Sequence, residues 1–359
     1  MNPVCCLLYC RPGFEKESAS EIMQMTQAQN IQGYIKAKPD SGFVGFYPTT
    51  PVDLATFNQS IRFAEMIFSR QLVFVSEFIN TLPAEDRITP LLAAIKTLQQ
   101  TFTIQKTFNS VLLETPDTNE GKQLSSFCKK FSTPLNIALE RNDLIHKKSE
   151  WRLHCFFLSS SAVYIGVSHI KNSSPDVMGI KRLRFPKAAP SRSTLKLEEA
   201  FKTMLSEKQQ EKFLRNGMSA VDLGACPGGW TWQLVNRGIR VNAIDNGAMD
   251  KALMDSGLVK EIKADGFKYL PEKPVDWLVC DMVERPMHIA RLMSRWLCEG
   301  HCHNAAFNLK LPMKKRYDMV MDCKHYIASE LDKNDFSYTI KVKHLYHDRE
   351  EVTCIVLLL

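Results

Sequence analysis

The feature that most constrains the fold is a glycine-rich segment between an apolar run and a helical pattern. The run covers residues 219–223 and stops at Gly224, and Gly228 and Gly229 follow just before Trp230, where a helical pattern resumes. This order predicts a strand, a tight turn and a helix, with the backbone of the turn open to a ligand. Glycine permits positive φ and brings main-chain N–H groups close to that ligand. The segment favours a nucleotide site, and an ordinary strand-to-helix turn is the alternative.

A carboxylate follows at the spacing at which nucleotide-binding folds hold a ribose. Residues 239–245 form a second predicted strand that ends at Asp245, 21 residues after Gly224. An acid in that position accepts hydrogen bonds from the ribose diol. The ligand is therefore expected to contain adenosine.

Two more predicted strands end in acidic residues, and these acids help to decide which adenosine-containing cofactor is bound. Residues 259–265 end at Asp265, and residues 275–281 end at Asp281. The carboxyl ends of successive parallel strands open onto one crevice, so these acids are expected to face the same ligand. A dinucleotide needs a pyrophosphate cradle, whereas the cationic sulfonium of S-adenosyl-L-methionine tolerates several carboxylates. The turn also departs from G-x-G-x-x-G, so S-adenosyl-L-methionine is preferred to NAD.

Composition bounds the class of protein and its compartment. The chain has 359 residues, 45% of them hydrophobic and 24% charged, which suits two or three ordinary globular domains. No apolar run reaches the length of a membrane span, and the amino terminus lacks the plan of a signal peptide. Eleven cysteines without paired spacing favour reduced thiols, so a cytoplasmic protein without membrane association is expected.

Positive charge is concentrated in the middle of the chain. The net charge is +7, yet residues 121–196 alone contain 14 Lys/Arg against 4 Asp/Glu. A basic stretch of this kind suits a polyanion such as RNA, and a solvated basic face is the alternative from charge alone.

Apolar periodicity predicts an α+β amino-terminal half and an alternating carboxy-terminal half. In the first half, the predicted helices include two separate ones, over residues 121–131 and 134–139. Irregular chain between residues 171 and 191 marks the domain boundary. Beyond it, strands and helices alternate, the fifth strand ends at Lys310, and the pattern predicts a doubly wound α/β sheet.

Several multi-residue motifs along nearly the whole chain resemble one family. They are Leu8-Tyr-Cys-Arg-Pro-Gly-Phe-Glu-Lys-Glu, Asp86-Arg-Ile-Thr-Pro, Ser191-Arg-Ser-Thr-Leu-Lys-Leu-Glu-Glu-Ala, Asp222-Leu-Gly-Ala-Cys-Pro-Gly-Gly-Trp, Cys280-Asp-Met, Asn308-Leu-Lys-Leu-Pro and His347-Asp-Arg-Glu-Glu-Val. The chain resembles the bacterial 23S rRNA cytidine 2′-O-methyltransferases of the RlmM type, whose wider relatives are the FtsJ-like ribose methyltransferases. The resemblance implies a ferredoxin-like module over residues 1–50, a THUMP RNA-binding domain over 51–185 and a Rossmann-like methyltransferase domain over 186–359.

The same resemblance implies the residues of the site. The family's Lys-Asp-Lys-Glu tetrad matches Lys196, Asp281, Lys310 and Glu351, with Glu350 as the alternative for the last position. Contacts to S-adenosyl-L-methionine fall on Ser193, Gly224, Cys226, Pro227, Gly228, Gly229, Asp245, Asp265 and Asp281. The implied substrate is a cytidine in the peptidyl-transferase region of 23S rRNA. The enzyme is expected to be a monomer that needs no metal and acts before the subunit is fully assembled.

The tetrad suits ribose methylation because a 2′-hydroxyl is a poor nucleophile. A base that removes its proton as the methyl group arrives assists the transfer, and a lysine is such a base only when neutral. Lys310 is the expected base, and burial and the ammonium of Lys196 are expected to lower its pKa. Asp281 and Glu351 are expected to orient the two lysines.

Other chemistries fit the residues less well. Cys280 is expected to point away from the crevice, and Cys226 to contact the cofactor rather than act as a nucleophile. The soft ligands within residues 298–303 lack the two separated pairs of a zinc site. The main alternative is an RNA-binding assembly factor with a vestigial methyltransferase fold, which would not require both lysines. An NAD-dependent enzyme is a weaker alternative.

Overall fold

The computed structural model describes residues 4–102, 104 and 107–359, and the chain divides into two compact units. The amino-terminal unit is Met1–Ile180 and the carboxy-terminal unit is Lys181–Leu359. Each unit is built on its own seven-stranded sheet. Among the described residues, none of the helices has the length and apolar character needed to span a bilayer.

The amino-terminal unit is a mixed α+β structure. Its strands are β1 (Cys5–Tyr9), β2 (Gly33–Ala37), β3 (Phe43–Pro48), β4 (Gln71–Ile79), β5 (Val111–Glu114), β6 (Trp151–Phe157) and β7 (Val163–His169), and its helices are α1 (Glu15–Ala28), α2 (Leu54–Ser60), α3 (Ile88–Phe102) and α4 (Asn119–Arg141). The strand order is β2-β3-β1-β4-β7-β6-β5. Neighbouring strands are antiparallel except β5 and β6, which are parallel.

The prediction of two helices around Pro134 is wrong, because α4 runs through this proline without a break. A proline inside a helix costs one backbone hydrogen bond, since it has no N–H. Leu135 and Leu139, one turn apart on the same face, are fully buried in the core of the unit. Burying two leucine side chains contributes about 3–6 kcal/mol, enough to offset the cost of the proline.

The carboxy-terminal unit is a doubly wound α/β sheet. Its strands are β8 (Ser219–Leu223), β9 (Arg240–Ile244), β10 (Val259–Ile262), β11 (Val275–Cys280), β12 (Cys302–Lys310), β13 (Tyr338–Lys343) and β14 (Glu351–Leu358), and its helices are α5 (Thr194–Met204), α6 (Glu207–Phe213), α7 (Gly229–Val235), α8 (Lys251–Met254), α9 (Pro286–Cys298) and α10 (Arg316–Lys333). The strand order is β10-β9-β8-β11-β12-β14-β13. Strands β8 to β12 are parallel, and β14 is antiparallel to both of its neighbours.

The strand order places a ligand crevice at the carboxyl ends of β8 and β11. The chain moves outward from β8 through β9 to β10, then returns to β11 on the other side of β8. Ligands of doubly wound sheets bind where the winding direction reverses in this way. The predicted glycine turn follows β8, so it lies at this position.

Helix α6 was missing from the sequence prediction. Its start is a capping box, in which Gln209 N–H donates to Ser206 Oγ at 3.3 Å and Ser206 N–H donates to Gln209 Oε1 at 3.0 Å. The Ser-x-x-Gln pattern was the available sequence signal. The Trp277 indole N–H donates to the carbonyl of Phe213 at 2.6 Å, which ties the end of α6 to the sheet.

Candidate functional site

The turn after β8 adopts a backbone that requires glycine. Gly224 has φ +76° and Gly228 has φ +115°, both in the region that side chains disfavour. A Cβ on Gly224 would lie 2.6 Å from Met282 Cγ, and one on Gly229 would overlap the Ser193 hydroxyl. The turn is therefore packed closely against the loop after β11 and the start of α5.

Two adjoining cavities open at this turn and share Gly224, Cys226 and Asp281 in their walls. The smaller, about 280 Å³, is also lined by Ser193 and Pro227. The larger, about 470 Å³, also contains Asp245 and Asp265. Of the predicted cofactor residues, only Gly228 and Gly229 are not in these walls, and they form the start of α7 instead.

Asp245 ties the end of β9 to the glycine turn. Its carboxylate accepts hydrogen bonds from the backbone N–H of Cys226 at 3.0 Å and of Gly247 at 2.9 Å. Asp265 lies three residues beyond the end of β10, where its carboxylate accepts from Phe267 N–H at 2.9 Å. Both carboxylates are therefore held by backbone N–H groups in the walls of the larger cavity.

Two buried groups of the smaller cavity were missed by sequence reasoning. Asp222 is buried, burial raises its pKa to about 7, and it accepts a hydrogen bond from Thr231 Oγ at 2.6 Å. The Trp230 indole N–H is also buried, and no described residue accepts its hydrogen bond. A buried acid in an apolar strand was the available sequence signal for Asp222. A cationic ligand with polar acceptors fits this donor set, because it would compensate Asp222 and pair the indole N–H.

Four alternating charges form a closed ring beside the cavities. Lys196 Nζ lies 3.1 Å from Asp281 Oδ2 and 2.6 Å from Glu351 Oε1. Lys310 Nζ lies 2.6 Å from Asp281 Oδ1 and also pairs with Glu351 Oε2. The structure thus brings together all four residues predicted as the tetrad, from α5, the β11 end, β12 and β14.

The register of the sheet selects Glu351 rather than Glu350. Glu351 lies directly opposite Lys310 in the antiparallel pairing of β12 with β14, so both side chains project from the same face. Glu350 is 64% exposed and pairs instead with Arg316, at 2.8 Å. This settles which glutamate contacts the lysines.

A buried chain of hydrogen bonds holds the Asp281 carboxylate of the ring in place. Asn308, two residues before Lys310 on β12, donates to Asp281 Oδ1 at 2.8 Å and accepts from Thr353 Oγ at 2.8 Å. Thr353 Oγ also lies 3.0 Å from the carboxylate of Asp348. Burial raises the pKa of Asp348 well above its usual range. Sequence reasoning missed these supports, although Asn308 and Lys310 share a strand face by alternation.

The prediction that the pKa of Lys310 is lowered is wrong, because its partners within the ring of four charges raise this pKa. Burial lowers this pKa, but the attraction of Asp281 and Glu351 more than offsets it, so the pKa lies above the usual lysine range. The converse holds for Asp281. Burial raises its pKa, but the two lysines lower it by more, so the pKa lies below its usual range. Lys310 is therefore held as a cation until something weakens its pairing with the carboxylates.

The cysteines of this region are not arranged as nucleophiles. Cys280 is buried, and burial raises the pKa of its thiol to about 12. The Cys226 thiol lies 3.1 Å from the carbonyl of Ala248, and its pKa is also raised. Within the part of the chain that the structure describes, no group of three His, Cys, Asp or Glu side chains is placed to hold a metal ion.

The fold and the site define a Rossmann-like methyltransferase that uses S-adenosyl-L-methionine. Residues 189–331 match the family of FtsJ-like methyltransferases. Residues 3–73 match the RlmM ferredoxin-like domain, and residues 86–169 match the amino-terminal domain of ribosomal RNA large subunit methyltransferase M.

Full-length relatives identify the family. The chain is 49% identical to ribosomal RNA large subunit methyltransferase M of Cellvibrio japonicus, over 96% of this chain and 97% of that protein. It is also 49% identical to the protein of that name from Methylococcus capsulatus, over 98% of this chain and 97% of that protein. The chain belongs to the ribosomal RNA large subunit methyltransferase M family. The resemblance, the α/β class and the methyl donor predicted from the sequence are thereby confirmed.

Proposed function

We propose that the protein transfers a methyl group from S-adenosyl-L-methionine to the ribose 2′-hydroxyl of a cytidine in 23S rRNA. The observation that carries this proposal is the closed ring of Lys196, Asp281, Lys310 and Glu351 beside the two cavities. The names of the relatives support large-subunit rRNA as the substrate. The protein is proposed to act in the cytoplasm as a monomer, on the peptidyl-transferase region before the subunit is fully assembled.

The domain plan predicted from the sequence is part of the proposal. Residues 1–50 would form the ferredoxin-like module, residues 51–185 the THUMP RNA-binding domain and residues 186–359 the methyltransferase domain. The exposed basic residues of segment 121–196 would contact RNA phosphates, which position an RNA without reading its sequence.

When bound, the cofactor supplies an activated methyl group on a sulfonium. Asp245 would hold the ribose diol in the larger cavity, where Asp265 would also contact the cofactor, and the turn at Gly224 and Cys226 would contact the methionine portion. Asp281 belongs to both cavity walls and to the ring, so it links the cofactor site to the lysine pair.

Lys310 is proposed to accept the proton of the 2′-hydroxyl. Its pKa is raised in the ring, so it must first be shifted toward the neutral form. Lys310 loses its proton more readily when a cation lies in the adjoining cavity, because a nearby like charge lowers a lysine pKa. Asp281 and Glu351 then keep the neutral amine in position, while both carboxylates also pair with Lys196.

The test of the proposed function is a map of ribose methylation in rRNA. Ribosomal RNA from cells with and without the protein should differ at one cytidine 2′-O-methyl group of 23S rRNA. Complementation with the wild-type chain should restore the mark, and complementation with Lys310→Ala should not. An identical map in both cells would favour the alternative, an assembly factor with a vestigial methyltransferase fold.

Asp245→Ala is expected to weaken binding of S-adenosyl-L-methionine by about 2 kcal/mol, or about thirtyfold in Kd. The substitution removes a carboxylate from the larger cavity and leaves the Cys226 N–H without the acceptor that Asp245 provides. Isothermal titration calorimetry measures the effect, and Asp255→Ala, an exposed position of the same unit, is the control. Unchanged affinity in Asp245→Ala would mean that the adenosine lies elsewhere.

Exchanging Lys129 and Lys130 for glutamate is expected to weaken RNA binding and to reduce its dependence on salt. Both side chains are exposed on α4, and each lost phosphate contact lowers the salt slope by about one. Filter binding of an rRNA fragment at several salt concentrations measures both quantities. The matched control is the double change Lys208→Glu and Lys212→Glu on α6, which alters the net charge equally. Equal losses in the two double variants would contradict a specific role for α4.

A further inference from the structure

Apart from the terminal Leu359, the most exposed large apolar side chains among the described residues lie in the two loops that follow the ring residues Asp281 and Lys310. Met313 is 94% exposed and Val283 is 89% exposed. The next highest value of this kind, apart from the terminal Leu359, is 50%, at Val4. Single exposed apolar side chains are ordinary in themselves, so the place of these two after ring residues and the charges beside them carry the argument.

Both residues are close to the ring along the chain. Val283 follows Asp281 by two residues and Met313 follows Lys310 by three. An extended chain advances at most about 3.6 Å per residue, so Met313 lies within about 11 Å of Lys310 by chain length alone. The strands β11 and β12 are parallel neighbours, so their two loops leave the same edge of the sheet. Val283 also lines the larger cavity, whereas Met313, in the loop after β12, is absent from its walls.

The loop of Met313 is held in a defined shape by Glu350. Leu311 N–H donates to the carbonyl of Glu350 at 2.8 Å, and Arg316 pairs with the carboxylate of Glu350 at 2.8 Å. The two ends of the loop are thus fixed to one residue, which is the direct neighbour of Glu351 in the ring. The exposed methionine therefore stands on a braced loop, which lowers the conformational entropy lost on binding.

The charge beside Met313 favours RNA as its ligand. Lys314 and Lys315 follow it directly, and both are exposed. Lys315, at the N-cap position of α10, has φ +54°, so the loop turns sharply after the apolar residue. An apolar side chain followed by two cations is complementary to a base next to its phosphates.

We propose that Met313 is a positioning residue that packs against an unstacked base of the RNA beside the target nucleotide. This inference rests on the proposed function. Extruding the nucleotide from its stack would bring its 2′-hydroxyl to Lys310. Methionine is among the apolar side chains that wedge between base steps, and its contact there would compensate for the lost stacking. Lys314 and Lys315 then hold the flanking phosphates.

The test uses a 23S rRNA fragment that carries 2-aminopurine next to the target cytidine. Binding of the wild-type protein should raise the 2-aminopurine fluorescence, because unstacking relieves its quenching. Met313→Ser should lose most of this increase and lower kcat/KM by about tenfold, the size of one lost apolar side-chain contact. Met313→Leu should restore both, and affinity for S-adenosyl-L-methionine should stay unchanged in all variants. The control is Met23→Ser, the same change at an exposed position of α1.

The outcomes separate the two proposals. Wild-type methylation of the fragment, with Met313→Ser matching the wild type in fluorescence and kcat/KM, would overturn the role of Met313 alone. Failure of the wild-type protein to form any 2′-O-methyl cytidine would overturn the proposed function and this inference with it. A loss in Met313→Ser that Met313→Leu also shows would contradict an apolar contact.

Discussion

Lys310→Arg and Lys310→Ala are both expected to lower the methylation rate by about a thousandfold or more, the range of a lost general base. Arginine keeps the charge that pairs with Asp281 and Glu351, but it does not give up its proton in proteins. Single-turnover measurement on an rRNA fragment reports the loss. Affinity for S-adenosyl-L-methionine should be retained in both variants, since Lys310 is absent from the walls of the two cavities.

The pH dependence of the wild-type rate gives an independent check of the same role. The pKa of Lys310 is raised by Asp281 and Glu351, so the neutral base is scarce near pH 7 and the rate should rise about tenfold per pH unit. Lys196→Met should move this rising limb to higher pH, because Lys310 then becomes the sole partner of both carboxylates. If Lys310→Arg methylates at nearly the wild-type rate, the lysine only stabilises charge and the base lies elsewhere.

Removal of residues 1–180 is expected to lower the rate of methyl transfer to rRNA by about a thousandfold or more. Binding of the cofactor should remain nearly intact. Every residue that lines the two cavities belongs to Lys181–Leu359, which has a complete seven-stranded sheet. The deleted part carries α4 and most of the basic segment that would bind RNA phosphates. Calorimetry with S-adenosyl-L-methionine and methyl transfer to an rRNA fragment measure the two quantities.

As a control for this deletion, the isolated unit of residues 181–359 must be shown to be folded. Circular dichroism and a cooperative thermal transition should show that residues 181–359 fold, and retained cofactor affinity should show that the site is formed. Full activity of the isolated unit on rRNA would contradict the proposed role of the amino-terminal half. Loss of cofactor binding in a folded unit would instead contradict the assignment of the cavities.

The sequence alone determined the elements whose signals are local. Apolar runs bounded by glycine and acids placed β8, the turn at Gly224 and the acids Asp245 and Asp281 correctly, because strand period and turn chemistry act over a few residues. The motif resemblance then predicted the family and the four ring residues. Local signals also predicted a helix break at Pro134 that does not occur. Helix α4 continues through this proline, because the burial of Leu135 and Leu139 stabilises the helix beyond it.

Only the tertiary structure decided how the predicted residues act on one another. The register of β12 and β14 places Glu351, not Glu350, opposite Lys310, and a one-residue shift would have reversed that choice. The direction of the Lys310 pKa is the difference between burial and two attractions, which depends on distances between residues 29 and 41 positions apart. The sequence names the charged groups, but opposing electrostatic effects of similar size are resolved only by their positions in the fold.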